Sequence, residues 1–273
     1  MDSPGKILRK YGIRSKRAFG QCFLTDEGYL SKIADLAALS QDDVVLEIGA
    51  GIGNLTRVLA PRAKKVIALE FDRDMITVLE GEIKAENVQI LAADALKVDF
   101  PKLAGKEKLK VIGNLPYNIA TEVIFRLLDA RKVFSTLLLM LQLEVARRIV
   151  SPAGSRDYGI LSVLCGLYAE TSLKLTLKRE AFYPRPKVES GLVEFTLSDS
   201  PRVKIENEDF FKSVVRGAFS QRRKTILNSM AGYPSLGRDK DAIRDALAKA
   251  GIDPRRRAET LTLAEFASLA RNF

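Results

Sequence analysis

Between about residues 40 and 145, short apolar runs alternate with stretches in which apolar residues recur every three or four positions. The runs at Asp43–Gly51, Lys65–Asp72, Val88–Leu96, Lys110–Tyr117 and Ser135–Gln142 read as buried strands. Asn54–Ala60, Met75–Ile83, Ala120–Ala130 and Glu144–Val150 read as helices among them. Strand–helix alternation of this length predicts a parallel sheet covered on both faces. The pattern then changes. Tyr158–Ala169 reads as one more helix, and Thr171–Arg179 and Ser190–Ser198 alternate apolar and polar residues with no helix between them. Two such strands in succession predict an antiparallel hairpin at the sheet edge. Leu197–Asp209 has the turn and charge composition of a boundary, and beyond it the spacing is helical to Phe273. The predicted class is therefore α/β: a Rossmann-like sheet domain over 1–200, with a basic segment at 1–24, and a small all-α domain over 201–273.

Charge refines this picture. The chain has 273 residues and a net charge of +10. Residues 1–21 carry +5, residues 22–200 carry −1, and residues 201–273 carry +6. A near-neutral centre with basic ends predicts flanks that grip a polyanion. No apolar run approaches the roughly 20 residues of a membrane span, and residues 1–20 lack the apolar core of a secretory signal. There is no histidine, and Cys22 and Cys165 stand far apart without metal spacing, so a Cys/His zinc site and imidazole base chemistry are both excluded. The sparse cysteines fit a reducing cytoplasm.

Candidate chemistry begins at "LEIGAGIGNLT", which sets Gly49, Gly51 and Gly53 between a strand and a helix. Glycines there let a ligand approach the backbone. NAD, FAD and S-adenosylmethionine all suit such a loop. The acids discriminate. Glu70 ends the second strand, where a carboxylate accepts from ribose hydroxyls. Asp94 ends the third strand, placed to accept from an adenine amine. Glu47 precedes the loop, where it would repel a pyrophosphate and favour a sulfonium or an ammonium. The acid-lined crevice thus favours S-adenosylmethionine. At the end of the fourth strand lies "IGNLPYNIA". Pro116 biases Leu115 towards an extended backbone, which turns carbonyls into the crevice. Together with the Asn114 side-chain oxygen these can accept both hydrogens of an exocyclic amine, while Tyr117 offers a face for a base.

Taken with "KRAFGQCFL" (Lys16–Leu24), "ALEFD", "AADAL", "FYPRPKVES" (Phe182–Ser190) and "FSQRRKTILNSM" (Phe219–Met230), the whole chain resembles the ribosomal RNA adenine N6,N6-dimethyltransferases of the small-subunit, KsgA type. The resemblance implies a class I S-adenosylmethionine-dependent methyltransferase sheet. Its cofactor contacts would fall on Leu24, Gly49, Glu70, Asp94 and Asn114, beside the Gly51 of the loop, with one more in the N-terminal motif. That motif usually reads G-Q-N-F-L, and here Cys22 replaces the Asn. A thiol is a weak hydrogen-bond partner, so either the backbone makes the contact or cofactor affinity falls. Phe182 would sandwich the target adenine against Tyr117. Arg222, Arg223, Lys224, Arg255, Arg256 and Arg257 would bind RNA phosphate and shape, while Arg14, Lys16 and Arg17 would close over cofactor and substrate.

The implied reaction is N6 dimethylation of two adjacent adenosines near the 3′ end of 16S rRNA, within the small (30S) subunit or its precursor, by a cytoplasmic monomer. Two other readings stand beside it. An Erm-type enzyme dimethylates a large-subunit adenine, but the C-terminal end and "FSQRRKTILNSM" resemble it less. A ribosome-assembly factor with weakened catalysis draws some support from Cys22, against the intact "NLPY" and cofactor carboxylates. An NAD dehydrogenase lacks any matching acid–base apparatus.

Overall fold

The computed structural model describes residues 3–13 and 22–273. Nine strands are present among them: β1 (Phe23–Leu24), β2 (Val44–Ile48), β3 (Lys65–Glu70), β4 (Val88–Ala92), β5 (Leu109–Asn114), β6 (Phe134–Gln142), β7 (Ala169–Leu177), β8 (Phe182–Tyr183) and β9 (Ser190–Leu197). Seven form one sheet in the order β4-β3-β2-β5-β6-β9-β7. β2 through β6 pair in parallel, and β9 runs antiparallel to β6. Every residue of β2 is buried, as expected for a central strand covered on both faces. After β4 the chain crosses back to place β5 on the other side of β2. The C-terminal ends of β2 and β5 therefore flank the point where strand order reverses, which is where open α/β sheets bind ligands.

Helices α1 (Pro4–Lys10), α2 (Glu27–Leu36), α3 (Asn54–Leu59), α4 (Arg73–Glu82), α5 (Phe100–Ala104) and α6 (Ala120–Asp129) belong to the sheet unit. Side-chain oxygens of Asp26, Asp72 and Asp99 cap α2, α4 and α5. The first helix, unmarked in the sequence, is held by Lys10 Nζ and Tyr11 Oη donating to Glu82 at 2.6 and 3.0 Å. Its Tyr11 ring occupies the space that a Cβ on Gly81 would fill.

The chain divides into two compact units: Met1–Ala146 with Ser172–Leu197, and Arg147–Thr171 with Ser198–Phe273. The second unit thus includes Arg147–Thr171, which the single boundary at 200/201 assigns to the first. Within it, the carbonyl of Glu259 accepts from the Gly154 amide and Tyr158 packs edge-on against Phe219. It contains the end of α7 (Leu143–Val150), α8 (Ile160–Gly166), α9 (Glu208–Phe219), α10 (Ile226–Ala231), α11 (Lys240–Lys249) and α12 (Leu263–Arg271). Its core gathers Phe211, Val214, Ile243, Leu247 and Phe266, all fully buried. The helical spacing expected beyond the boundary is broken before Ile226, where α10 begins, because the residues preceding it form a turn. Buried Ser229 Oγ holds that turn by accepting from the Gln221 amide and donating to the Gly217 carbonyl.

Candidate active site

The loop after β2 carries Gly49, Gly51 and Gly53 at φ +77°, +58° and +81°, a region that disfavours any Cβ. Space is equally restrictive at the first two. A Cβ on Gly49 would lie 2.7 Å from the Asn114 carbonyl oxygen, and one on Gly51 would lie 2.9 Å from the Phe23 ring. The ends of β2 and β5 are therefore in direct backbone contact.

Glu70, at the end of β3, accepts from the amides of Phe71 and Asp72 on Oε1 (2.7 and 2.9 Å) and of Gly51 on Oε2 (2.9 Å). Burial raises its pKa, and the three amides oppose that rise. Glu47 is 1% exposed. One of its carboxylate oxygens accepts from Thr56 Oγ1 at 2.6 Å. Burial pushes its pKa up to about 8, with a further contribution from the Glu70 charge. Asp94 accepts from the Leu96 amide at 2.9 Å and has Lys97 Nζ at 3.8 Å. A small cavity of about 30 Å³ lies among Leu24, Glu47, Gly49, Asn54, Asn114 and Met140. A larger groove of about 450 Å³, around Gln41, Arg57 and Asn87, does not reach the glycine loop.

At Asn114 the amide nitrogen donates to the Cys22 carbonyl at 2.9 Å. That bond orients the side chain and leaves Oδ1 with no protein donor among the described residues. The Leu115 amide donates to Met140, whereas the Pro116 carbonyl accepts from Ile119 at 3.1 Å in the turn that starts α6. The Pro116 carbonyl is thus engaged, whereas the Leu115 carbonyl has no donor among the described residues. Tyr117 Oη lies 2.8 Å from Ser190 Oγ, which is fully buried at the start of β9. Leu24 is buried, and its carbonyl accepts from Asn54 Nδ2 at 2.7 Å. Burial raises the pKa of the half-buried Cys22 thiol, and the group that contacts Asn114 is the Cys22 backbone.

Phe182 differs from expectation. It is 4% exposed, pairs across from Leu24 in the β1–β8 ladder, and packs in the same apolar cluster as Leu30 and Leu192. It presents no open face to a base. Phe71, by contrast, was given no role by the sequence pattern, yet it is 66% exposed directly after Glu70. A large exposed aromatic at a strand end beside a ribose-type acid was the available signal.

The basic residues divide. Arg14, Lys16 and Arg17 lie outside the described residues. Arg222 donates to the Arg156 carbonyl at 3.1 Å, and Arg223 and Lys224 are exposed on the same turn. Arg255 pairs with Asp253 at 3.0 Å, and Arg257 lies 3.9 Å from Glu259. Arg256 is turned inward onto Glu265 and Thr260, and its carbonyl accepts from Ile226. That last side chain serves the fold of its own loop.

A family model described as ribosomal RNA adenine dimethylase matches residues 12–273. The chain belongs to the ribosomal RNA adenine dimethylase family. Curated relatives named ribosomal RNA small subunit methyltransferase A include one from Moorella thermoacetica, 46% identical and covering 99% of both chains. Another, from Myxococcus xanthus, is 44% identical over 99% of this chain and 95% of its own. Among solved structures, a dimethyladenosine transferase from Plasmodium falciparum superposes with a TM-score of 0.74 at 30% identity, covering 90% of this chain and 95% of that one. The 23S rRNA methyltransferase ErmE superposes with a TM-score of 0.66 at 27% identity, over 92% and 98%. The fold is that of class I methyltransferases, and the family implies S-adenosylmethionine as methyl donor. The residues fit that group. The buried Glu47 and the half-buried Glu70 lie beside a glycine loop, and among the described residues no Lys or Arg acts on either, which suits a cationic ligand and opposes a pyrophosphate.

Proposed function

We propose that this chain dimethylates the N6 amines of two adjacent adenosines near the 3′ end of 16S rRNA, in the small subunit or its precursor, and acts in the cytoplasm as a monomer. The observation that carries this reading is the Asn114 amide. Its nitrogen is committed to Cys22, so its oxygen and the Leu115 carbonyl are left as a pair of acceptors at the switch point of the sheet.

S-adenosylmethionine, when bound, supplies an electrophilic methyl group. Glu70, the Gly49 and Gly51 backbone, Leu24, the Cys22 backbone and Asp94 would hold it, with the exposed Phe71 ring available to its base. The target base stacks on Tyr117, whose ring is fixed by Ser190. Such stacking is worth roughly 1–3 kcal/mol per base and offsets part of the cost of extracting an adenine. Asn114 Oδ1 and the Leu115 carbonyl accept from the two N6 hydrogens. They draw the nitrogen towards tetrahedral geometry and aim its lone pair at the methyl group. N6, once methylated at the expense of the donor's S–CH3 bond, would be cationic, and the proton it sheds would be acidic enough to pass to water. No side-chain base is required, in keeping with a chain that lacks histidine. Arg222, Arg223 and Lys224 on the turn before α10 bind RNA phosphates, with Arg255 and Arg257 beside them.

The test is mass spectrometry of both ribosomal RNAs after incubation of unmodified ribosomal subunits with enzyme and methyl donor. Two dimethyladenosines confined to the small-subunit RNA are expected, and Asn114→Ala abolishes them with the fold intact. Transfer confined to 23S rRNA of the large subunit, the RNA for which ErmE is named, refutes the reading. Donor binding without transfer to either subunit would favour an assembly role.

A further inference from the structure

Helix α3 begins without a side-chain cap, because its N-cap residue is Gly53. The missing acceptor comes from another element. Glu47, on β2, takes both the hydroxyl and the backbone N–H of Thr56, the third residue of that helix. Its carboxyl is 1% exposed and lines the small cavity shared with Gly49, Asn54 and Asn114. The neighbouring strands place Ala68 and Ile112 beside it. Among the described residues, the only charged group acting on it is another acid, Glu70. A buried carboxylate with no cation is costly to keep ionised, yet this one faces the crevice assigned above to a ligand carrying positive charge.

We propose that Glu47 is a proton-exchanging counter-charge: it is neutral while the crevice holds no cation, and it loses its proton when a cationic ligand enters. This rests on the assignment of S-adenosylmethionine to the crevice and goes beyond it. The carboxyl O–H bond breaks, the proton goes to solvent, and the carboxylate left behind neutralises the ligand's charge. Thr56 donates to the carboxylate throughout, so the cap of α3 tightens as the ligand binds. With a pKa of about 8 in the free protein, roughly nine molecules in ten carry the proton at pH 7. Donor affinity then rises up to tenfold between pH 6 and 7, because only the ionised form binds well.

The experiment is calorimetry of the full chain with S-adenosylmethionine at pH 6.5, in phosphate and in bis-Tris, two buffers of different ionisation enthalpy. The slope of observed heat against buffer enthalpy counts protons. Close to one proton released per donor bound is expected, falling to near zero in Glu47→Gln, which keeps an acceptor for Thr56. Donor binding with no proton released, or with the same release from Glu47→Gln, overturns the inference while leaving the cofactor assignment standing. No donor binding at all refutes the cofactor assignment itself. Should Glu47→Gln fail to fold, infrared difference spectra of the wild-type protein decide. Loss of a protonated-carboxyl band on donor addition supports the inference, and its persistence overturns it. A parallel titration with S-adenosylhomocysteine, which has the ammonium but no sulfonium, identifies the triggering cation: release with both ligands assigns the ammonium, and release with the donor alone the sulfonium.

Discussion

Gly49→Ala tests whether the glycine loop sets the position of the amine acceptors. The new Cβ would lie 2.7 Å from the Asn114 carbonyl oxygen at a residue whose φ is +77°. Two costs follow. Alanine on the left-handed side costs roughly 1–2 kcal/mol. The collision must also be relieved, and ordinary contact begins at 3.4 Å, so β5 has to retreat by several tenths of an ångström. The contacting atom is backbone and cannot rotate away. The thermal cost is a drop in Tm of about 3–8 °C, from about 2 °C or more per kcal/mol in a domain of this size. The catalytic cost is larger, because a displacement near 1 Å from reacting geometry lowers rates by about 100-fold. Gly237→Ala separates the two effects. Gly237 is also left-handed, at φ 65° and ψ 32°, but a Cβ there meets nothing within 4 Å. It should lose stability alone. Single-turnover methyl transfer to small subunits, with Tm measured on the same samples, reads both. If Gly49→Ala transfers methyl within twofold of wild type, the contact does not position Asn114 and the argument fails.

The other expectations concern different parts of the chain. Ser190→Ala removes the partner of Tyr117 Oη, and with Tyr117→Phe it should show a coupling near 1 kcal/mol in a double-mutant cycle read on RNA binding; additive losses would mean the tether is idle. Arg223→Ala and Lys224→Ala should each lower the salt dependence of RNA binding by about one unit of slope at unchanged Tm, whereas Arg256→Ala should lower Tm through loss of its contacts with Glu265 and Thr260. Arg256 holds the Glu265 carboxyl below the usual range, so this pair stabilises the fold above the unfolded-state pKa of about 4.3 and stops doing so as pH falls through the lower folded value. Tm of Glu265→Gln should therefore lie below that of wild type at pH 6, and the two should converge in strong acid; a constant gap would contradict the pairing.

Much of the sheet was legible because β2, β3, β5 and β6 are apolar runs, ending in glycines after β2 and in polar residues at β3, β5 and β6, and buried parallel strands leave that signature. The ends mattered most, since Gly49, Glu70 and Asn114 were marked both by their place at strand ends and by the motifs that the resemblance rests on. What escaped depends on partners distant in sequence. β1 and β8 are two residues each, too short for any periodicity, yet their pairing covers Phe182 with a strand that lies some 160 residues earlier. The inward turn of Arg256 looks identical in sequence to the exposed Arg223, because a run of arginines does not reveal which one meets a half-buried carboxylate. Arg147–Thr171 joined the second unit for the same reason: contacts such as Gly154 with Glu259 span about a hundred residues and have no local trace.

The acceptor assigned to Leu115 is a main-chain oxygen, and every amino acid carries one. The leucine side chain, 1% exposed, is chosen by the packing beneath it, while Pro116 and the turn to Ile119 decide which carbonyl stays open. Requirements on the side chain and on the reaction are therefore separated at this position. The core here can change size or shape over generations without altering the group presented to the substrate. Scanning mutagenesis of position 115 would report on packing alone and leave the reactive oxygen untouched. A half of the amine pocket is in that sense written in chain geometry, outside the reach of any single codon.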